Sequence, residues 1–378
     1  MRVAIVINTS WNIWNFRASL VRALQAAGHE VLAIAPPDAY SQRLETELGC
    51  RYVPILMENK GTNPVKDAAL IARFYQIYKR EKPDVVLHYT IKPNIYGSLA
   101  ARLAGVPSIN NVSGLGTVFI IQNFVSRVAL GLYKFAFRFP SKVFFQNNDD
   151  RLLFLENKLV RADITGLLPG SGVDVNKFRP AAFQRQTPFV FLMVARVLYE
   201  KGVAEYFEAA RILRAANPAG AVRVRLLGGL DEAGGVGVPR ATFEGWLTGG
   251  EIEYLGHSDD VAAHLHAADC VVLPSYREGT PKTLLEAAAC GKPIVTTDVP
   301  GCRDTVEDGR TGYLCRVRSG EDLAAKMQQV LSLPVDKLLE MGRASRHLAE
   351  TKFDEQLVLN QYLAAVAAVA AVRRQEAV

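Results

Sequence analysis

The chain has 378 residues, 49% of them hydrophobic and 22% charged. That leaves room for two domains of ordinary size and excludes disorder, a collagen-like repeat and a disulfide-held miniature. The net charge of +6 is uneven: residues 1–180 hold 22 Lys and Arg against 13 Asp and Glu (+9), and residues 181–378 hold 22 against 25 (−3). A positive first half fits nucleic acid, anionic lipid or a phosphate-bearing substrate, and charge alone does not choose among them.

Met1 and Arg2 lead directly into the apolar run Val3 to Ile7, with no small-residue cleavage site behind it. No secretory signal is read, and a cytoplasmic protein is expected. Strands are expected at 3–7, 31–35, 85–88, 108–112 and 143–145, separated by helices at 15–27, 66–82, 95–104, 124–138 and 149–158. The stretch from Arg179 to Pro188 carries two prolines and no periodicity, so it reads as a linker. Beyond it the plan repeats, with strands at 189–194, 222–227, 253–255, 270–273 and 293–297 and helices at 203–216, 259–267, 281–289 and 321–331. A last helix, 354–373, is rich in Ala and Val. The expected architecture is α/β: two doubly wound, Rossmann-like domains, 1–180 and 181–358, facing each other across a cleft. Residues 359–378 are expected to pack back on the first domain.

Five cysteines, an odd number with no CxxC pair, point to reduced and mostly buried thiols, and no metal site is expected. The charge-free stretches 103–126 and 357–372 are interrupted by Pro and Asn or by Asn and Gln, so neither reads as a good membrane span.

Parallel sheets bind ligands beyond the carboxyl ends of their strands. After the first strand a dinucleotide site needs GxGxxG, but Asn8 to Asn15 contains no glycine and instead holds Trp11 and Trp14. A nicotinamide or flavin dehydrogenase is therefore not expected. The richer segment is 274–293, a strand end, a loop and a helix opening with Pro281. Glu278 lies in the loop and Glu286 inside the helix. The N–H groups around Lys282 and Thr283, at the positive end of the helix, form an anion site between the two carboxylates. A phosphate flanked by hydroxyl-rich groups fits there, as in a nucleotide-diphosphate sugar; the plain alternative is a turn residue and a solvated helix position. At the end of the second domain's first strand, Arg196 and Lys201 supply two cations for the same diphosphate, or are simply two surface charges on a loop.

These residues make the chain similar to the family 4 retaining glycosyltransferases of the GT-B fold. The E-x7-E pattern is met by Glu278 and Glu286, the R-x4-K pair by Arg196 and Lys201, and the G-V-D…F-x-P signature by Gly172-Val173-Asp174 and Phe178-Arg179-Pro180. Within that family, 193–208, 222–231 and 274–286 resemble bacterial enzymes that add an N-acetylhexosamine to a sugar on diphosphoundecaprenol. The resemblance implies a UDP-linked donor whose diphosphate is held by Arg196 and Lys201. It implies that Glu286 takes the ribose hydroxyls, that Glu278 contacts the transferred sugar, and that Gly279 and Thr280 offer backbone N–H groups beside Pro281. The base would lie along Leu255-Gly256-His257, with Gly228-Gly229 letting the chain pass close to the ligand. It also implies retention, no bound metal or other cofactor, and a lipid-linked glycan acceptor. His88, at a strand end, matches a position where relatives keep a histidine near the donor sugar, though a lone strand-end histidine is often structural.

Relatives carry glycines where this chain has Asn8, Trp11 and Trp14, so the acceptor contacts there are open: the tryptophans stack on a sugar, sit among lipid headgroups or pack in the core. On the helix at 124–138, Arg127, Lys134 and Arg138 fall within 40° of one another at 100° per residue, on an aromatic-rich segment. That pattern fits an interfacial anchor and equally a core helix with a solvated basic stripe. The basic first half and the implied lipid-linked acceptor favour the anchor, placing the protein peripherally on the inner face of the cell membrane, with anionic lipid and not nucleic acid as its partner. Two rival functions are a UDP-GlcNAc 2-epimerase on the same two-domain plan and a non-enzymatic basic module binding membrane or nucleic acid. The first does not share E-x7-E as it stands here; the second lacks nucleic-acid motifs.

Overall fold

The structure, a computed structural model, describes residues 1–58, 63–115, 124–182, 185, 187–217, 219–230 and 237–376. The chain divides into two compact units, Met1–Ser171 with Gln356–Val378, and Gly172–Glu355.

The first unit runs β1 (Arg2–Val6), α1 (Ser10–Ala26), β2 (Glu30–Ala35), α2 (Ser41–Thr46), β3 (Arg51–Pro54), α3 (Pro64–Glu81), β4 (Val85–Tyr89), α4 (Ser98–Ala104), β5 (Ser108–Val112), α5 (Phe124–Ala136), β6 (Lys142–Phe145), α6 (Asn148–Glu156) and β7 (Thr165–Leu167). The second runs β8 (Phe189–Val194), α7 (Val203–Ala216), β9 (Val222–Leu227), α8 (Arg240–Leu247), β10 (Glu253–Tyr254), α9 (Val261–His266), β11 (Cys270–Leu273), α10 (Lys282–Ala289), β12 (Ile294–Thr297), β13 (Gly312–Cys315), α11 (Gly320–Leu331) and α12 (Val335–Leu348). Helix α13 (Glu355–Glu376) closes the chain.

Both sheets are parallel, in the orders β3-β2-β1-β4-β5-β6-β7 and β10-β9-β8-β11-β12-β13. Each winds outward in two directions from its first strand, so each has a switch point, between β1 and β4 and between β8 and β11. Strand β1 shows how the pattern builds the layers. Val3 and Ile5 join the core under α1 and α13, while Ala4 and Val6 join the core on the opposite face.

Strands β3, β7 and β13 were not expected from sequence, and all three are sheet edges. An edge strand needs less apolar character, and Pro54 and Gly166 interrupt the pattern in the first two. Helices α2, α8 and α12 also escaped the reading; α2 and α8 are short, with one buried residue each, Leu44 and Phe243. Helix α1 starts at Ser10 and not near residue 15, because the Thr9 hydroxyl caps it by accepting from the Asn12 N–H. Trp11 and Trp14 thus belong to a helix, not a loop.

The boundary between units falls ahead of the proline-rich stretch, because Val173, Val175 and Phe178 are already packed in the second core. With this division the charges remain 22 basic to 13 acidic in the first unit and 22 to 25 in the second. From Glu355 to Arg373, α13 is long and apolar enough to cross a membrane by length and composition, which the interruptions at Asn360 and Gln361 had argued against. Val358, Leu359, Tyr362, Val366 and Val369 form a helical stripe that packs it into the first unit's core. All five cysteines are buried and free, and burial pushes the thiols of Cys302 and Cys315 up to about 12.

Candidate active site

The site builds from the two strands at the second unit's switch point. Beyond β8 the chain passes through Ala195 and the exposed Arg196 to a single 3-10 turn that carries Lys201. Gly202 ends that turn at φ +73°, where a Cβ would lie 2.1 Å from the Pro274 carbonyl. The position requires glycine, and the loops after β8 and β11 are held together by this contact. The Tyr276 N–H donating to the Glu200 carbonyl at 2.9 Å ties them a second time.

That closeness brings Lys201 onto Glu278, whose Oε1 accepts from Lys201 Nζ. The side chains are 21% and 14% exposed, so the pair is reachable from solvent without being a loose surface contact. Glu278 is fixed from below: its N–H donates to the Pro300 carbonyl at 3.2 Å, and a Cβ on Gly301 (φ +81°) would come within 2.4 Å of the Glu278 carbonyl and 2.5 Å of that of Gly279. Gly301 and the Tyr276 hydroxyl, which donates to Glu205 Oε1 at 2.7 Å, are supports that the sequence reading missed. Pro300-Gly301 is a turn signal that marks the first; nothing local marks the second.

Pro281 is the N-cap of α10, with no side-chain cap, and the Thr283 hydroxyl donates to the Val194 carbonyl at 3.2 Å. The first turn of α10 is thereby fastened to the end of β8. One turn on, Glu286 is 12% exposed at its side chain, 3.9 Å from Lys282 Nζ. Burial raises its pKa above the ordinary carboxylate range, partly offset by Lys282 and by Lys177. Lys177 was not singled out from sequence, although it lies inside the 172–180 signature. Gly279 and Thr280 are buried between the two carboxylates.

Gly228 (φ +152°) is needed for an approach of chain to chain: a Cβ would sit 1.8 Å from the Ala195 carbonyl, and its N–H donates to the Gly256 carbonyl at 2.7 Å. The expectation that it clears room for ligand gives way to this packing role, whereas Gly229 has open space where a Cβ would be. Leu255 is half-buried, and His257 is exposed. Arg196, Lys201, Glu278, Glu286, the α10 mouth and 255–257 thus share the carboxyl ends of neighbouring strands.

The other expected residues lie in the first unit. His88 is 0% exposed, its Nε2 at 2.9 Å from the Tyr78 hydroxyl and its Nδ1 at 3.0 Å from Asn110 Oδ1. Burial depresses its pKa to about 4. It is a core histidine with both nitrogens occupied, and the expectation of a catalytic His88 is corrected. Trp14 lies under the Arg43 guanidinium at 4.1 Å and against the core, while Trp11 remains 40% exposed. Arg127, Lys134 and Arg138 are all exposed, with Val128 and Phe135 beside them; Arg138 lies just past the end of α5. Among the described residues, no group of three His, Cys, Asp or Glu side chains is placed to hold a metal ion.

Solved structures share this architecture from end to end. Anabaena HepE in complex with UDP and glucose superimposes with a TM-score of 0.80, 19% identity and coverage of 97% of this chain and 99% of that one. A glycosyltransferase from Rickettsia africae gives 0.77 and 17%, covering 98% of each chain. The fold is therefore that of a GT-B glycosyltransferase. The sequence carries the assignment further: the Glycosyl transferase 4-like domain matches residues 13–170 and Glycosyl transferases group 1 matches 174–348. The chain belongs to this glycosyltransferase family. Among its relatives is the Campylobacter jejuni N,N'-diacetylbacillosaminyl-diphospho-undecaprenol alpha-1,3-N-acetylgalactosaminyltransferase, 29% identical over 96% of this chain and 97% of that protein. Another is an Escherichia coli UDP-Gal:alpha-D-GlcNAc-diphosphoundecaprenol alpha-1,3-galactosyltransferase, 26% identical over 79% and 78%.

Proposed function

We propose that this enzyme transfers an N-acetylhexosamine, with retention, from a UDP-sugar to a sugar carried on a polyprenyl diphosphate, in the assembly of a surface polysaccharide or a protein-linked glycan. The observation that carries this reading is the likeness to the Campylobacter enzyme, which runs the whole length of both chains.

The site supplies matching chemistry. Arg196, Lys201 and the N-terminal turn of α10 surround the place where negative charge grows as the bond from the anomeric carbon to the diphosphate breaks. The diphosphate leaves with the electron pair. The acceptor hydroxyl forms the new bond from the same face, and its proton passes to the departing phosphate oxygen. Glu286 takes the ribose hydroxyls, Glu278 the transferred sugar, and Leu255-Gly256-His257 the base. No protein nucleophile takes part, and the two cations with the helix end do the electrostatic work a metal ion does elsewhere.

The enzyme works in this reading as a peripheral protein on the inner face of the cell membrane. Support comes from the +9 charge of the first unit and from the exposed Arg127, Lys134 and Arg138 beside Val128 and Phe135. Lys134 and Arg138 line a groove of about 590 Å³ with Lys158 and Arg161, floored by Phe137, Leu155 and Leu159, which suits an anionic amphiphile.

The test is transfer by the purified protein across UDP-, GDP-, ADP- and dTDP-sugars, with polyprenyl-diphosphate-linked mono- and disaccharides as acceptors and the anomeric configuration of the product read by NMR. Transfer from one UDP-N-acetylhexosamine to a lipid-linked acceptor, with retention, is expected. A 2-epimer formed without acceptor, or no binding of any nucleotide sugar, overturns the reading.

A further inference from the structure

Arg17 lies inside the first unit, 6% exposed. Its guanidinium is 4.4 Å from the centre of the Tyr89 ring, and Nη1 donates to the Phe16 carbonyl at 2.9 Å. Nε is buried with no hydrogen-bond partner, and among the described residues no carboxylate pairs with the group. A buried cation without a counter-charge is costly, and proteins supply such groups with an anion. A guanidinium is matched best by a carboxylate or a phosphate.

The surroundings call for hydrogen donors as well. Asn111, 1% exposed and opposite Tyr89 in the register of β4 with β5, donates through Nδ2 to the Tyr362 hydroxyl of α13 at 2.7 Å. Its Oδ1 is buried and accepts nothing. Asn8, two residues beyond β1, also has a buried Oδ1 with no partner. An unmatched cation and two unmatched acceptors thus collect where β1 and β4 end, at the switch point of the first sheet. Carboxylates accept hydrogen bonds and cannot satisfy the two carbonyl oxygens. A phosphate attached to a ring bearing hydroxyl or acetamido groups satisfies all three.

We propose that the carboxyl ends of β1 and β4 form a glycosyl-phosphate site, in which Arg17 takes the phosphate and Asn8 and Asn111 accept from the sugar. The site deepens the function proposed above, and rests on it in being where the diphosphate-linked sugar of the acceptor is held. The second unit keeps the donor.

N-Acetylglucosamine 1-phosphate probes the site without turnover. It is expected to raise the thermal midpoint of the wild-type chain, with Arg17→Lys and Arg17→Met needing at least tenfold more ligand for the same rise. UDP is expected to shift all three proteins alike. Asn111→Ala should weaken the response to the sugar phosphate and leave the response to inorganic diphosphate unchanged. In transfer assays Arg17→Lys should raise KM for the polyprenyl-diphosphate-linked acceptor at least tenfold, with KM for the UDP-sugar within twofold. Free glycosyl phosphate accepting sugar as well as the lipid-linked form overturns the assignment to the lipid-linked acceptor. A folded Arg17→Lys protein with unchanged sugar-phosphate response and unchanged acceptor KM overturns the site itself. So does loss of the UDP response in the Arg17 variants, which makes the residue structural. If the wild-type response depends on Arg17 but no lipid-linked acceptor is used, the proposed function fails and the glycosyl-phosphate site stands.

Discussion

His88 and Glu278 occupy matching places, each at or beyond the end of a parallel strand next to a switch point, and both stood out in the sequence as catalytic. Their surroundings differ in kind. His88 is enclosed, and each ring nitrogen faces one partner, Tyr78 or Asn110. Glu278 is half-buried against a mobile-headed cation, Lys201, on a loop whose backbone is pinned at Gly202 and Gly301. A strand end offers a position. Whether it offers chemistry depends on whether the side chain has hydrogen-bonding capacity and exposure left for a ligand.

Four substitutions test that contrast, ranked by their expected effect on turnover per folded molecule. Glu278→Ala should lower kcat by about 10²- to 10³-fold, the scale of a lost transition-state contact. Its thermal midpoint should stay near the wild-type value, since a solvent-reachable ion pair contributes little to folding. Gly301→Ala adds a Cβ against the Glu278 carbonyl at a φ that side chains avoid, displacing the loop. About a tenfold loss of kcat/KM is expected, with about 1 kcal/mol or more of stability lost in denaturant titration.

Glu286→Gln should weaken UDP-sugar binding severalfold while raising the thermal midpoint at neutral pH. The sign follows from the raised pKa: the folded state holds the Glu286 proton more tightly than the unfolded chain, so ionisation at pH 7 opposes folding, and glutamine removes that cost. Wild-type donor affinity should fall on acidification at a pH above the ordinary glutamate range, and the variant should show no such step.

His88→Ala should leave turnover within about twofold once corrected for the folded fraction, yet cost about 2–4 kcal/mol by leaving a cavity and two stranded polar groups. The depressed pKa of about 4 adds a pH signature. Above the unfolded value of about 6.5 the neutral ring costs nothing; between there and 4 the unfolded chain takes up a proton that the folded chain refuses. Wild-type stability should therefore decline by about 3 kcal/mol over that window, and the decline should be absent in the variant.

The sequence made the interior legible and the margins illegible. Central strands such as β1, β8 and β11 are apolar along their whole length because helices cover both faces, and their runs stand out. The edges β3, β7 and β13 share that covering only in part, and Pro54 and Gly166 hide two of them. For the site, Glu278, Glu286, Arg196 and Lys201 were readable because they are charged and regularly spaced. Lys177, Glu205 and Gly301 act through the fold, from segments far along the chain, and no local pattern joins them to α10. Arg17 was invisible for the opposite reason: on an amphipathic helix an arginine reads as solvent-facing, and only burial beside Tyr89 shows otherwise. Thr9 illustrates how little separates the two outcomes, since one hydroxyl decides that Trp11 and Trp14 ride on a helix.

The second unit both begins and ends at one place: Val173 bridges Asp354, and the Glu355 N–H donates to the Val173 carbonyl at 3.0 Å. The donor half is therefore a cassette with adjacent joints, one that can be exchanged between enzymes by two cuts without disturbing the sheet that surrounds neither end. Synthesis on the ribosome meets the reverse situation. The half made first stays uncovered along Val3, Ile5 and Tyr89 until Tyr362 and Val366 emerge, so the acceptor half, begun earliest, is completed last.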